Sequence, residues 1–326
     1  MFTHPMHFKM RKTLSLSVAL CGLTAGGIAF ADELPRMDNA PSLFNQGQIS
    51  NYHPVFDFDS DGCYPATPFN RNNNLSQNPG LNATGTPQGS CRDGGFEAFA
   101  NVIHRQLCNE RDEAQGRVRR CAHFYELYFE KDQALGGSFL GGHRHDVETV
   151  IVWTGRIAYT GGGSSEFVSH ISASAHGNFD TRHINDTIHN QGHAYIVYHK
   201  DGVGTHAFRF ANQGDRDRVE YIGNKGDFYL PYVLSHYRAY KSWNNDEWER
   251  YWQNRDYRSR LESSNFGSAS FKTRNDGEIM WQANNAVPRS DSFWTNFSFT
   301  WDDVWFTRTQ ELKANYPSIY SSLPEQ

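Results

Sequence analysis

Cysteine is scarce in this 326-residue chain, five in all. None stands in a C-x-x-C pair, so a thiolate zinc site is a poor explanation for them. Long apolar runs are equally rare: beyond the first thirty residues, no stretch approaches the eighteen or so that a membrane-spanning helix needs. Positive charge is not in excess, since 31 Lys and Arg face 36 Asp and Glu for a net of −5. That balance excludes a basic nucleic-acid binder and argues against nonspecific attraction to anionic lipid. There is no G-x-S-x-G elbow, no repeat of fixed period and no βαβ rhythm. What remains is a globular composition, 38% hydrophobic and 14% aromatic, long enough for one large or two ordinary domains.

The N-terminus reads as a secretory signal peptide over residues 1–31. Lys9, Arg11 and Lys12 form its basic end, Leu14 to Phe30 its apolar stretch, and Ala29-Phe30-Ala31 its cleavage site. The expectation is a secreted, extracellular chain of residues 32–326 forming a single domain. Without the leader, 28 basic residues face 36 acidic ones, a net of −8. Four cysteines then remain, Cys63, Cys91, Cys108 and Cys121. An even number in an exported chain implies two disulfides with three possible connectivities. The sequential pairing, Cys63–Cys91 and Cys108–Cys121, is the one expected, closing loops through the least regular part of the chain.

The chain is organised around Gly141-Gly142-His143-Arg144-His145-Asp146-Val147-Glu148, which runs into Thr149-Val150-Ile151-Val152-Trp153. The β-branched run predicts a buried central strand. Strand alternation puts Asp146 and Glu148 on the face of Val150 and Val152. His143 has the opposite parity and joins them only if the glycine-rich segment curls over the strand end. Carboxylates this close repel one another, so a bound cation explains them better than a solvated polar cap. A second acidic stretch, Asp57-Phe58-Asp59-Ser60-Asp61-Gly62, has the D-x-D-x-D-G opening of a calcium loop. Its twelfth position is Pro68 rather than glutamate, which removes it from the helix–loop–helix class.

Residues 32–55 read as an extended surface arm and 66–95 as a long loop stapled by cysteines. Strands are expected at Phe124–Phe129, Phe167–Ala175, Ala194–His199 and Thr205–Phe210. One late helix is expected, capped by Asn245 or Asp246 and carrying Trp248, Tyr251 and Trp252. Many short strands with few helices predict an antiparallel β-sandwich with a small helical layer.

Gly142 to Glu148 resembles the G-H-R-H-D-W-E signature of the necrosis- and ethylene-inducing-like proteins, secreted cytolysins of plant-associated microbes. Other segments agree in order: Phe129-Glu130-Lys131-Asp132, Ser174-Ala175-His176-Gly177, His199-Lys200-Asp201-Gly202 with Thr205 to Ala211, and Phe266-Gly267-Ser268-Ala269. The resemblance covers roughly residues 50–287. The acidic loop and second cysteine pair resemble the branch called type two, with its additional calcium loop.

The resemblance implies a mainly β, single-domain sandwich related to actinoporin-like cytolysins and fungal lectins. It implies one divalent cation, Mg²⁺ or Ca²⁺, held by Asp132, His143, Asp146 and Glu148. Gly142, Arg144 and His145 belong to the same motif, and a second Ca²⁺ would sit in the loop of Asp57, Asp59 and Asp61. The implied partner is the sugar headgroup of plant plasma-membrane glycosyl inositol phosphoryl ceramide sphingolipids, met peripherally by a monomer. Val147 departs from the signature, replacing its tryptophan. Residues 289–326, with Trp294, Trp301 and Trp305, form an extension outside the resemblance. Two further readings stand beside this one: a carbohydrate-binding protein without lytic action, and a metal-dependent hydrolase suggested by His143-x-His145-Asp146.

Overall fold

The computed structural model describes residues 52–70, 75–92, 94–96, 99–137, 141–202, 205–217, 228–229, 232–235 and 259–315. The expected signal peptide, most of the N-terminal arm and the late helix at Trp248–Trp252 lie outside the described residues.

Two sheets make the sandwich. In the first, β11 (Thr205–Phe210), β10 (His193–Asp201), β1 (Val55–Phe58) and β12 (Phe228–Tyr229) lie side by side, with β9 (His189–Asn190) pairing β10. The second orders β13 (Tyr232–Ser235), β4 (Asn101–Glu113), β5 (Gly116–Asp132), β6 (His143–Tyr159), β7 (Ser164–Ala175) and β8 (Asn178–His183). A small hairpin pairs β2 (Phe69–Asn70) with β3 (Ser76–Gln77). The expected antiparallel sandwich holds, with two parallel pairings within it, β1 with β10 and β13 with β4.

The central strand is buried on both sides, which is why its sequence reads as a continuous apolar run rather than an alternating one. Val150 and Val152 face the core between the sheets, among Tyr125, Leu127, Phe129, Phe56, Tyr198 and Phe208. Ile151 and Trp153 face the other way, into a cluster with Ile279, Ala283, Trp294, Phe299 and Val304. Residues 279–287 supply part of that outer cluster, and Trp294, Phe297, Phe299 and Val304 of the C-terminal extension supply another part. The helix Asp276–Ala286 is capped by the Asn275 side chain, which accepts from the Glu278 backbone N–H. The helix Trp301–Asn315 follows it. Trp294 is fully buried, its ring 5.2 Å from that of Trp153, and its indole N–H donates to Ser169 Oγ at 3.0 Å. The helix Asp276–Ala286 and the extension together form the second wall over Ile151 and Trp153.

Both disulfides pair as expected, Cys63 with Cys91 and Cys108 with Cys121. The second departs from expectation in its setting. Cys108 and Cys121 are register partners on β4 and β5, so they staple a regular hairpin rather than a loop.

Candidate metal centre

The site forms where β5 ends and β6 begins, with Asp132 and His143 as register partners. Gly142 has φ of +102°, and a Cβ placed there would lie 2.4 Å from the Asp132 carbonyl oxygen, so only glycine fits. His145 also adopts a left-handed backbone, φ +64°. This bend interrupts strand alternation and lets His143 Nδ1 donate to the His145 carbonyl at 2.6 Å. With the proton on Nδ1, His143 turns the lone pair of Nε2 toward Asp132 Oδ2, 3.7 Å away. The expected curl over the strand end is what brings His143 to the acids.

Asp132, His143 and Asp146 each offer one ligand atom, all within 4.8 Å of one another. They open into a cavity of about 220 Å³, lined also by Glu148, Ser174, His176, His206 and Lys272. Burial raises the Asp146 pKa to about 7, with the charge of Asp132 adding to the effect. Burial, then the charge of Asp146, pushes Glu148 well above the ordinary carboxylate range. Buried carboxylates gathered beside an imidazole are what a hard dication offsets, and oxygen donors with one nitrogen suit Mg²⁺ or Ca²⁺ better than a thiophilic metal. The donor set fits the implied ion.

The remaining motif residues have other tasks. Glu148 lies outside the three-residue set and accepts a hydrogen bond from Ser174 Oγ. Arg144 points outward and ties down a neighbouring loop, donating to the Pro79 carbonyl at 2.8 Å and to Asn82. His145 turns to the opposite face, where Nδ1 meets the Tyr128 hydroxyl at 2.7 Å and the ring packs against Phe266. Burial, aided by the charges of Arg144 and His143, lowers its pKa to about 4. Val147 is buried in the same cluster as Tyr128 and Phe266, as its parity requires.

The acidic loop is built differently. Asp57, Asp59 and Asp61 form no such donor group among the described residues. Protein cations meet the loop instead. Arg92 Nη1 donates to the carbonyls of Phe58, Asp59 and Gly62 at 3.0, 2.7 and 3.2 Å. Arg209 lies 3.5 Å from the Asp59 carboxylate. Burial works to raise the Asp61 pKa, but hydrogen bonding and charge from His206 outweigh it and hold it below the ordinary value.

Sequence reasoning passed over two residues of the centre. His206 donates its backbone N–H and its Nδ1 to Asp132 Oδ1, at 2.8 and 2.9 Å. Burial lowers its pKa, yet the hydrogen bonds to Asp132 and Asp61 win and raise it to about 9. Tyr198 donates to Asp146 Oδ2 at 2.8 Å, its ring stacked 3.8 Å from that of Phe129. The one available signal was alternation in Thr205–Phe210, which turns His206 inward with Phe208 and Phe210.

The family described as Necrosis inducing protein (NPP1) matches residues 46–286 of this chain. NLP effector protein 10 of Phytophthora capsici is 27% identical over 205 residues, 62% of this chain and 79% of its own. Necrosis-inducing protein NPP1 of Phytophthora nicotianae is 30% identical over 125 residues, 37% of this chain and 43% of its own. Among solved structures, the non-toxic HaNLP3 protein aligns with a TM-score of 0.52 at 20% identity, over 79% of this chain and 98% of that one. A structure reported as "Toxin fold as basis for microbial attack and plant defense" gives 0.51 at 21%, over 78% and 97%. At these identities the two structures speak to the shared fold.

Proposed function

This chain belongs to the necrosis-inducing protein family, and on that premise we propose that it is a secreted cytolysin whose cavity recognises a sugar headgroup through one divalent cation. Asp132, His143 and Asp146 hold the ion, Mg²⁺ or Ca²⁺, and Glu148 stands beside them as a further acceptor. When bound, the ion offers coordination positions to sugar hydroxyls or carboxylates. The observation that carries this reading is the convergence of those three side chains at an open cavity whose buried acids have surplus negative charge. The chain itself orients the donors, and the polar wall of Ser174, His176 and Lys272 offers hydrogen bonds to hydroxyls.

The target under this reading is the glycosyl inositol phosphoryl ceramide of plant plasma membranes, met from outside by a monomer exported with the leader at residues 1–31. No helix among the described residues is long and apolar enough to cross a membrane, and the reading needs none. It assigns binding and membrane damage rather than turnover, so no catalytic residue is named. The acidic loop enters as a support of the cavity rather than as a second ion site.

Dye release from vesicles containing that sphingolipid, with and without chelator, tests the reading. Release that chelation abolishes supports it; undiminished release in chelator overturns the role of the cation. A second reading, binding without lysis, draws on Val147, which is buried against Tyr128 and Phe266 in the slot of the signature tryptophan. Cation-dependent capture by the vesicles without dye release would select it.

A further inference from the structure

The loop Asp57–Gly62 touches the two residues that hold the cation ligands from behind. His206 spans the gap: its Nδ1 meets Asp132 Oδ1 at 2.9 Å, while Nε2 lies 3.1 Å from the Asp61 carbonyl oxygen and 3.7 Å from Asp61 Oδ1. A Cβ on Gly62 would come within 2.9 Å of the Tyr198 ring and 3.0 Å of the His206 ring. Gly62 thus lies flush against both rings. Tyr198 fixes Asp146 Oδ2 and His206 fixes Asp132 Oδ1. Arg92, bonded to three carbonyls of the loop, holds that abutment in place.

We propose that this acidic loop is the positioning element of the cation centre, with Asp61 acting on Asp132 through His206 and Gly62 setting both rings. The proposal rests on the cation reading above and deepens it: the loop regulates affinity for the ion without ligating it. Asp132 keeps Oδ2 turned to the site only while Oδ1 is held by His206, and His206 keeps its orientation only while Nε2 is held by Asp61. Outer partners of this kind are commonly worth roughly 10- to 100-fold in metal affinity.

The test is titration calorimetry of the purified protein with Mg²⁺ and with Ca²⁺, beside melting curves in chelator. Gly62→Ala is expected to weaken binding roughly 10- to 100-fold, and Asp61→Asn, which removes the carboxylate charge but keeps the carbonyl bonded to His206 Nε2, roughly 10-fold, while the chelated melting temperature moves little. His206→Asn keeps a donor near the Nδ1 position but cannot reach Asp61. In that background Asp61→Asn is expected to cost less than about threefold, because the path it acts through is gone. If Gly62→Ala does not fold, Asp61→Asn and this double cycle decide alone. Unchanged affinity in Asp61→Asn, or the same loss with and without His206, overturns the proposal while Asp146→Asn, still abolishing binding, leaves the cation reading intact. Affinity that falls only in step with chelated stability reduces the loop to a structural part and also overturns it. Absence of binding by the wild-type protein removes the cation reading and this proposal together.

Discussion

Two clusters of acids lie at the same end of the sandwich and are treated in opposite ways. Around Asp57–Gly62 the protein supplies its own cations, the guanidiniums of Arg92 and Arg209 and the imidazole of His206, and Asp61 is held below the ordinary carboxylate pKa. In the second cluster His206 is bonded to Asp132, while Asp146 and Glu148 accept from the neutral hydroxyls of Tyr198 and Ser174 and face one another. Burial and mutual repulsion raise Asp146 to about 7 and hold Glu148 well above the ordinary carboxylate range, although the charge of Lys272 relieves Glu148 in part. Acid count therefore does not identify an ion site. What distinguishes one is negative charge that the fold gathers, buries and leaves for something outside the chain to neutralise.

The sharpest way to break the comparison is Asp146→Asn, which removes charge from the cavity while keeping size. Wild-type protein at 100 times the dissociation constant should gain about 2.7 kcal/mol from Mg²⁺. The variant should gain nothing, and in chelator it should melt no lower than wild type. A full Mg²⁺-induced rise in melting temperature in Asp146→Asn would count against the site.

Proton linkage gives the next effect. The folded pKa of Asp146 lies above its ordinary value near 3.8, so the folded cation-free chain binds more protons than the unfolded one between about pH 4 and 7. Stability from this group is present below that window and falls as pH rises through it, at up to about 1.4 kcal/mol per unit. Mg²⁺ should oppose the fall, so melting curves with and without chelator should separate as pH approaches 7. Parallel curves across the window would remove the surplus charge from the cavity.

Arg92→Ala probes the other cluster. It strips three loop carbonyls of a charged donor and should cost about 2–3 kcal/mol, measured by urea unfolding in chelator. A harmless substitution would mean that the loop is not neutralised by the protein. The smallest effect belongs to Asp59→Ala, whose ion pair with Arg209 at 3.5 Å is partly exposed. Its loss should stay within about 1 kcal/mol and be equal with and without Ca²⁺. A loss that appears only in Ca²⁺ would restore the loop as an ion site.

Much of the site was legible along the chain because it is local. Asp146, Glu148 and the glycines sit within eight residues of one another, and strand parity alone separates Val147 from the acids. Parity puts Glu148 on the right face without saying what reaches it; Ser174, twenty-six residues away, donates to it. The D-x-D-x-D-G spacing suggested an ion because spacing shows the acids and hides the cations. Arg92 and Arg209 come from distant segments, and only the packed sheets bring them to the loop. The extension after residue 288 was opaque for a related reason: its buried tryptophan finds Trp153 across 141 positions of sequence.

The sequence by itself determined the sandwich, its central strand and the local motif that brings His143 and Asp146 to the cavity. Hydrophobic period and short-range motifs are written residue by residue and do not depend on what packs above them. Only the tertiary structure decided which acidic cluster is left with surplus charge, because charge compensation is a property of neighbours in space. It also decided that Tyr198 and His206, drawn from two strands of the opposite sheet, would hold the carboxylates of Asp146 and Asp132 from behind.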